Sequence, residues 1–237
     1  MAVGILAIGM LFIAGVFPVS IHFTTVSSER TIAATVADEA FAKIKLYGVA
    51  PLSLSDANQT PFAPVFVPSD EYSYPSTPTI DPNSKKFWWS ALCKRVPGSL
   101  QDVQVTVFVS RKAGVSTLFR TPLGATNSDR PLAVPVEVRG TTGGYELTIT
   151  GNKTLINDGY NIVDGAAGQI YRVMERYVDD TTTPLIDESQ IIRLEKPWRP
   201  EIPPQSITDF VWVTPPPPPP VGGRYPCIAV YQKVMRF

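Results

Sequence analysis

Few side chains in this 237-residue sequence could do chemistry. His22 is the single histidine, and a serine or cysteine nucleophile needs a histidine base beside it. His22 falls at the end of an apolar N-terminal run, so no triad is supported. It reads as an interfacial residue whose polar ring reaches lipid headgroups. A zinc site wants four nitrogen or sulfur ligands, which one histidine and two cysteines do not supply. Cys93 and Cys227 fit one disulfide in an oxidising compartment or two unpaired buried thiols equally well, because their spacing carries no geometry. The carboxylate pairs Asp179-Asp180 and Asp187-Glu188 have acid–base capacity, but they sit among threonines and proline as solvated turn residues. Asn157, Asp158, Asn161 and Asp164 offer hard oxygen ligands suited to calcium. Their spacing lacks the EF-hand pattern and its terminal glutamate, and turn formation accounts for them. No Gly-x-Gly-x-x-Gly or Walker run is present, so phosphate cradling has no candidate loop. The expectation is a protein that is not an enzyme and carries no cofactor or metal.

Bulk properties narrow the class. Lysine plus arginine and aspartate plus glutamate both total 21, a formal net charge of zero, and a nucleic-acid binder would show a basic excess. No nucleic-acid partner is expected. The 24 prolines are about twice the usual ~5%, which points to long connecting stretches. The length suits one domain and an appendage.

The appendage is N-terminal. No charged residue precedes Glu29, and residues 3–23 (VGILAIGMLFIAGVFPVSIHF) are almost wholly apolar. About 20 such residues span a bilayer core as a helix. A cleaved signal peptide would have a basic start, a shorter apolar run and a small-residue cleavage site. From Thr25 the sequence continues as an amphipathic helix, with Ile32, Val36, Ala40 and Ile44 recurring every four residues and Phe41 and Tyr47 widening the stripe. Glu39 and Lys43 form a favourable i,i+4 pair. Gly48 stands where a C-terminal cap belongs, and Pro51 forbids continuation. Pro18, after Gly15, is the expected kink.

The runs ILAIGMLFIAGVFPVS (residues 5–20) and SSERTIAATVADEAFAKI (residues 27–44) resemble the N-terminal helix of type IV pilin-like proteins. The similarity is greatest to minor pseudopilins and the pilus modification subclass. It covers about 45 residues, counted at ~1.5 Å of helix each, and the rest of the chain only in plan. The family's leader, Gly-Phe processing site and early glutamate are not in this sequence, which begins about two turns (~7 residues) inside the motif. Prepilin processing, N-terminal methylation and glutamate-dependent assembly therefore map to no residue here. The resemblance implies a single-pass inner-membrane subunit with an extracytoplasmic head, which initiates, caps or modifies a type IV pilus or type II secretion pseudopilus. Its partners would be inner-membrane lipid, other pilin or pseudopilin subunits and the assembly machinery. Ile5, Gly9, Leu11, Ala14, Gly15, Pro18 and Ile21 would pack within membrane or filament, and Ile32, Val36, Ala40, Phe41 and Ile44 against the head.

The remainder reads as strands. Residues 51–86 hold seven prolines and read as an exposed connector. Residues 87–96 (FWWSALCKRV) form a helical turn or strand. Val103, Val105, Val107 and Val109 alternate with Gln104, Thr106, Phe108 and Ser110 as a strand with one apolar face. Further strands are expected at 134–138, 145–150, 153–156 across a Gly151-Asn152 hairpin turn, 160–163, 169–178, 190–194, 210–213 and 228–235. Residues 215–220, all proline, should form an exposed polyproline II segment, either a stiff connector or a docking site. Trp88, Trp89, Trp198 and Trp212 read as core, or as a ligand surface in an anchored binding domain that never polymerises. The fold expected is α+β: helix at 1–48, connector at 49–86, and an antiparallel β-rich head at 87–237 with the helix packed on it.

Overall fold

The computed structural model describes residues 2–49, 62–77, 79–81, 84–99, 101–113, 117–120, 127–178, 190–200, 206–218 and 224–237. Its first element is one helix, α1 (Ala2–Tyr47), unbroken at Pro18. At 1.5 Å per residue it is about 70 Å long. It ends as the sequence predicts. Gly48 takes φ +77°, a left-handed conformation that costs glycine little, and its N–H bonds the Ile44 carbonyl at 2.9 Å. Together with the strands below, the helix makes the chain α+β.

An open antiparallel sheet follows. Its strands β1 (Ala63–Pro64), β2 (Ser73–Tyr74), β3 (Phe87–Arg95) and β4 (Asp102–Arg111) are joined by the last strand of the chain. Both β1 and β2 pair with β3, and β3 pairs with β4. Residues 87–95 are thus a full strand, not a helical turn. The proline-rich connector also differs from its exposed reading. Its second half supplies β1 and β2, and Phe62, Val65 and Tyr72 are buried. Residues 50–61 lie outside the described residues. A two-strand pair, β5 (Phe119–Arg120) with β6 (Asn127–Ser128), lies between sheet and barrel in sequence.

The second unit is a closed antiparallel barrel of six strands: β7 (Val134–Thr141), β8 (Glu146–Ile149), β9 (Asn161–Asp164), β10 (Ile170–Val178), β11 (Gln190–Leu194) and β12 (Ser206–Val213). Around the barrel the order is β7-β8-β11-β10-β9-β12 and back to β7. Closure leaves no strand edge inside this unit. Its interior is filled by Val136, Leu147, Ile149, Ile162, Tyr171, Ile192, Leu194 and Val211, among others. The strand expected at 153–156 is instead a 3₁₀ turn, Lys153–Leu155, started by the Asn152 side chain accepting from the Thr154 N–H. Gly151-Asn152 therefore starts that turn, while β8 pairs with β7 and β11. The chain then returns to the open sheet as β13 (Cys227–Arg236), antiparallel to β4.

The open sheet is buried on both faces. Val103, Val105, Val107 and Val109 share one buried cluster with Ala33, Val36, Ala37, Ala40, Phe41 and Ile44 of α1. On the opposite face, Leu92 and Phe108 join Val163 and Trp212 of the barrel strands, with Phe62 and Cys227. Thr106 and Ser110, which alternate with the valines, are buried as well, because a second layer covers their face of the sheet. One further reading is corrected. Pro215 and Pro217 of the polyproline run are buried and Pro216 and Pro218 half-buried, so the described part of the run is not an exposed segment; Pro219 and Pro220 lie outside the described residues. Of the two readings of the tryptophans the core one fits: all four are buried, at 9%, 1%, 1% and 6% exposure for Trp88, Trp89, Trp198 and Trp212.

Candidate functional site

The part of the molecule with unspent binding capacity is α1, and its two halves differ. In the first half Gly9, Leu11, Ala14, Gly15, Pro18 and Ile21 are all exposed, with Leu11 at 75% and Phe23 at 70%. A Cβ at Gly9 or Gly15 would meet nothing within 4 Å, so the helix backbone is open to close approach there. The side chain of Ile5 lies outside the described residues. The helix is long and apolar enough to cross a membrane, and its described apolar stretch is not buried. Where polar residues begin, they bond internally. The Thr24 and Thr25 hydroxyls donate to the Ser20 and Ile21 carbonyls, both at 2.8 Å. Such back-bonding satisfies a hydroxyl where water is scarce.

The second half carries the buried stripe. Val36, Ala40 and Ile44 are at 0% exposure and Phe41 at 8%, while Ile32 is half-buried. The four-residue repeat missed Ala33 and Ala37, which are equally buried. Alanine carries little hydropathic signal, and here its small size sets how near helix and sheet lie. Tyr47 stays exposed; its hydroxyl donates to Glu71 Oε1 at 3.1 Å.

Two ionic groups flank this stripe. Lys43 Nζ bridges Glu39 at 2.7 Å and Glu71 at 2.9 Å and donates to the Glu71 carbonyl at 2.8 Å. The Trp89 indole donates to that same carbonyl at 3.0 Å. The Lys43 hydrogen bond holds the Glu71 carboxyl below its ordinary value, against a smaller opposing effect of burial. Near the start of the stripe, Glu29 accepts from Arg111 at 3.0 Å and lies 3.2 Å from Arg224. Sequence spacing held no sign of these partners, which are 82 and 195 residues away.

No protein-family model, curated protein or solved structure matches the chain. The remaining candidate residues are therefore judged on geometry alone. Cys93 lies on the helix-facing side of the open sheet and Cys227 on the barrel-facing side, so the sheet itself separates them and both are free thiols. Burial pushes each thiol up to about 11, the opposite of what a reactive cysteine needs. Asp164, one of the four oxygen-bearing loop residues, is wholly buried. It accepts from the Ala166 and Ala167 N–H groups at 3.0 and 3.1 Å and from Arg199 Nε at 2.8 Å. Those contacts occupy its oxygens, and Arg199 reaches Asp209 as well. Asn157 accepts from Arg176 and bonds the Tyr160 hydroxyl. Among the described residues no three His, Cys, Asp or Glu side chains stand together as a metal would need. Asp179-Asp180 and Asp187-Glu188 lie outside the described residues.

The Asp164–Arg199–Asp209 group is invisible in the sequence because its members come from β9, a turn after β11, and β12. Nearby, Lys94 of the open sheet donates to the Ala166 carbonyl, and Gln232 of β13 to the Gly168 carbonyl at 2.7 Å. The group therefore braces the β9–β10 turn against which the sheet is seated.

Proposed function

We propose that this protein is a non-enzymatic, single-pass inner-membrane subunit of a pilin-like filament, with its β-rich head outside the cytoplasm. The observation that supports this most directly is the division of α1. The described side chains from Gly9 to Thr25 are exposed and mostly apolar or small, and the rest of the same helix is seamed to a sheet. A mere anchor has no need of open backbone at Gly9 and Gly15, whereas side-by-side helices in a filament core use such positions for close approach. The seam of Ile32, Val36, Ala40, Phe41 and Ile44 makes anchor and head one lever, as a subunit that transmits position along a filament requires. As a minor subunit it would initiate, cap or modify a type IV pilus or type II secretion pseudopilus, with other pilin or pseudopilin subunits and the assembly machinery as partners. This rests on the resemblance of residues 5–20 and 27–44.

Fractionating cells that express the full-length gene, with mass spectrometry of the mature N-terminus, tests the reading. A processed, methylated N-terminus in membrane and sheared-filament fractions is the expected result. Membrane protein absent from filaments would leave a plain anchored domain, and a soluble product would remove the anchor too.

A further inference from the structure

The two edges of the open sheet are finished differently. One is made of β1 and β2, of two residues each, with Pro64 inside β1 and Pro75 directly after β2. Short strands and prolines close an edge to further pairing. The other edge is β13, ten residues long, and among the described strands it pairs with β4 alone. A bulge lies between Cys227 and Ala229, and from Ala229 to Arg236 the register with β4 is unbroken.

That register says which backbone groups are open. The Phe237 N–H bonds the Gln101 carbonyl at 3.0 Å, so these two residues form a hydrogen-bonded pair. Such pairs recur at every second residue of an antiparallel ladder. Tyr231, Lys233 and Met235 therefore turn their N–H and C=O groups toward β4, and Val230, Gln232, Val234 and Arg236 turn theirs outward. The stretch 230–236 offers about 23 Å of open ladder at ~3.3 Å per residue. Its exposed side chains include Lys233, Val234 and Arg236. Lys233 lies 5.9 Å from the Phe41 ring centroid and Arg236 donates to Gln101 at 2.7 Å. Residues 227–237 contain no acid, so the edge is basic.

A second copy does not suit this edge. The two-fold axis that joins two β13 strands antiparallel in one sheet stands perpendicular to that sheet. It reverses every direction in the plane. α1 lies along the sheet, in contact with it from Ala33 to Ile44. The paired copies would thus send their apolar helix halves in opposite directions, and both could not enter one membrane. This step rests on the membrane-anchored reading above.

We propose that β13 is a docking edge for an extended acidic segment of a different protein, added antiparallel as a further strand of the open sheet. The outward N–H and C=O groups supply the hold, and cross-strand neighbours supply the choice. Carboxylates belong opposite Lys233 and Arg236, and β-branched or aromatic side chains opposite Val234 and Tyr231.

The test uses the full chain in detergent micelles and a fluorescent, end-blocked peptide, Glu-Val-Val-Glu-Thr-Tyr-Val. Its carboxylates fall opposite Arg236 and Lys233, and a control peptide carries lysine in their place. By anisotropy the acidic peptide should bind about tenfold tighter than the control. Its binding should slow amide hydrogen exchange at Val230, Gln232, Val234 and Arg236. Val234→Pro removes one outward N–H and no bond to β4, and should weaken binding about tenfold at an unchanged melting temperature. Val234→Thr should keep the binding, and Lys233→Glu/Arg236→Glu should invert the preference between peptides. Equal or absent binding of the two peptides overturns the proposal, as does binding that leaves those four amides unprotected. A dimer of the chain alone, abolished by Val234→Pro, would make a second copy the occupant and overturn the choice of partner. Insertion into lipid vesicles tests the anchoring separately, and none of these substitutions should alter it.

Discussion

At the scale of single residues, burial decides what each group does. Cys93 and Cys227 ionise near 9.0 when exposed and at about 11 in the fold. The folded state therefore holds these two protons more tightly than the unfolded chain does. Their stabilising contribution is complete below about pH 9 and is lost as pH rises toward 11. Denaturation curves between pH 8 and 11 should show that fall, and the Cys93→Ala/Cys227→Ala variant should show less of it. Under non-reducing conditions a thiol reagent should find two groups per chain, but only after unfolding. Arg199 has the opposite role, since it neutralises Asp164 in the barrel wall. Arg199→Met would leave a buried carboxylate without its cation and should cost about 3–5 kcal/mol by chemical denaturation. The double variant Arg199→Met/Asp164→Asn should recover part of that loss.

At the scale of elements, the helix-to-sheet seam depends on size as much as on hydropathy. Ile44→Ala, at a site with 0% exposure, opens a cavity and should destabilise the head by about 2–5 kcal/mol. Ala37→Leu adds volume to a position that is 1% exposed, and overpacking there should cost about 1–3 kcal/mol. If the two substitutions instead left the melting temperature of the head unchanged, α1 would not be part of its core. Acid should loosen the far end of the same seam. The Glu71 carboxyl is held below its ordinary value of 4.5 by Lys43, so its contribution is present above that value and is lost as pH falls through the lowered one. Glu71→Gln should flatten the acid limb of the stability profile.

At the scale of the whole molecule, three layers are stacked: helix, open sheet, barrel. The barrel closes on its own hydrogen bonds, and the open sheet does not, since β13 pairs only with β4 among the described strands. The sheet relies instead on cover from α1 and from the barrel. A chain shortened to residues 29–237 keeps the whole seam and loses the part of α1 whose described side chains are, Val26 apart, all exposed. It should be soluble without detergent and melt within a few degrees of the full chain, as calorimetry would show. A larger loss would mean that the first half of α1 supports the head.

The helix was legible in the sequence because its signals are local. A charge-free apolar run, a four-residue repeat, a glycine cap and a following proline are all written within a few turns of one another. The same holds for most strands: Val103, Val105, Val107 and Val109 announce both a strand and its apolar face. The readings that failed concern partners distant in sequence. Alternation in β4 cannot say that Thr106 and Ser110 lie beneath a second layer, because that layer comes from residues 134–213. Gly151-Asn152 has the composition of a hairpin turn, but β8 finds its partners in β7 and β11. A run of prolines looks solvent-exposed by composition, although Pro215 and Pro217 are covered. Two cysteines say nothing of their separation until a sheet is seen to lie between them. Sequence alone determined where the chain turns helical, where most of the longer strands run, and which half of the helix is almost wholly apolar. Only the tertiary structure decided which faces are covered twice, that six strands close into a barrel, and that Glu29 and Asp164 each gather arginines, because pairing and burial depend on distances the linear order does not contain.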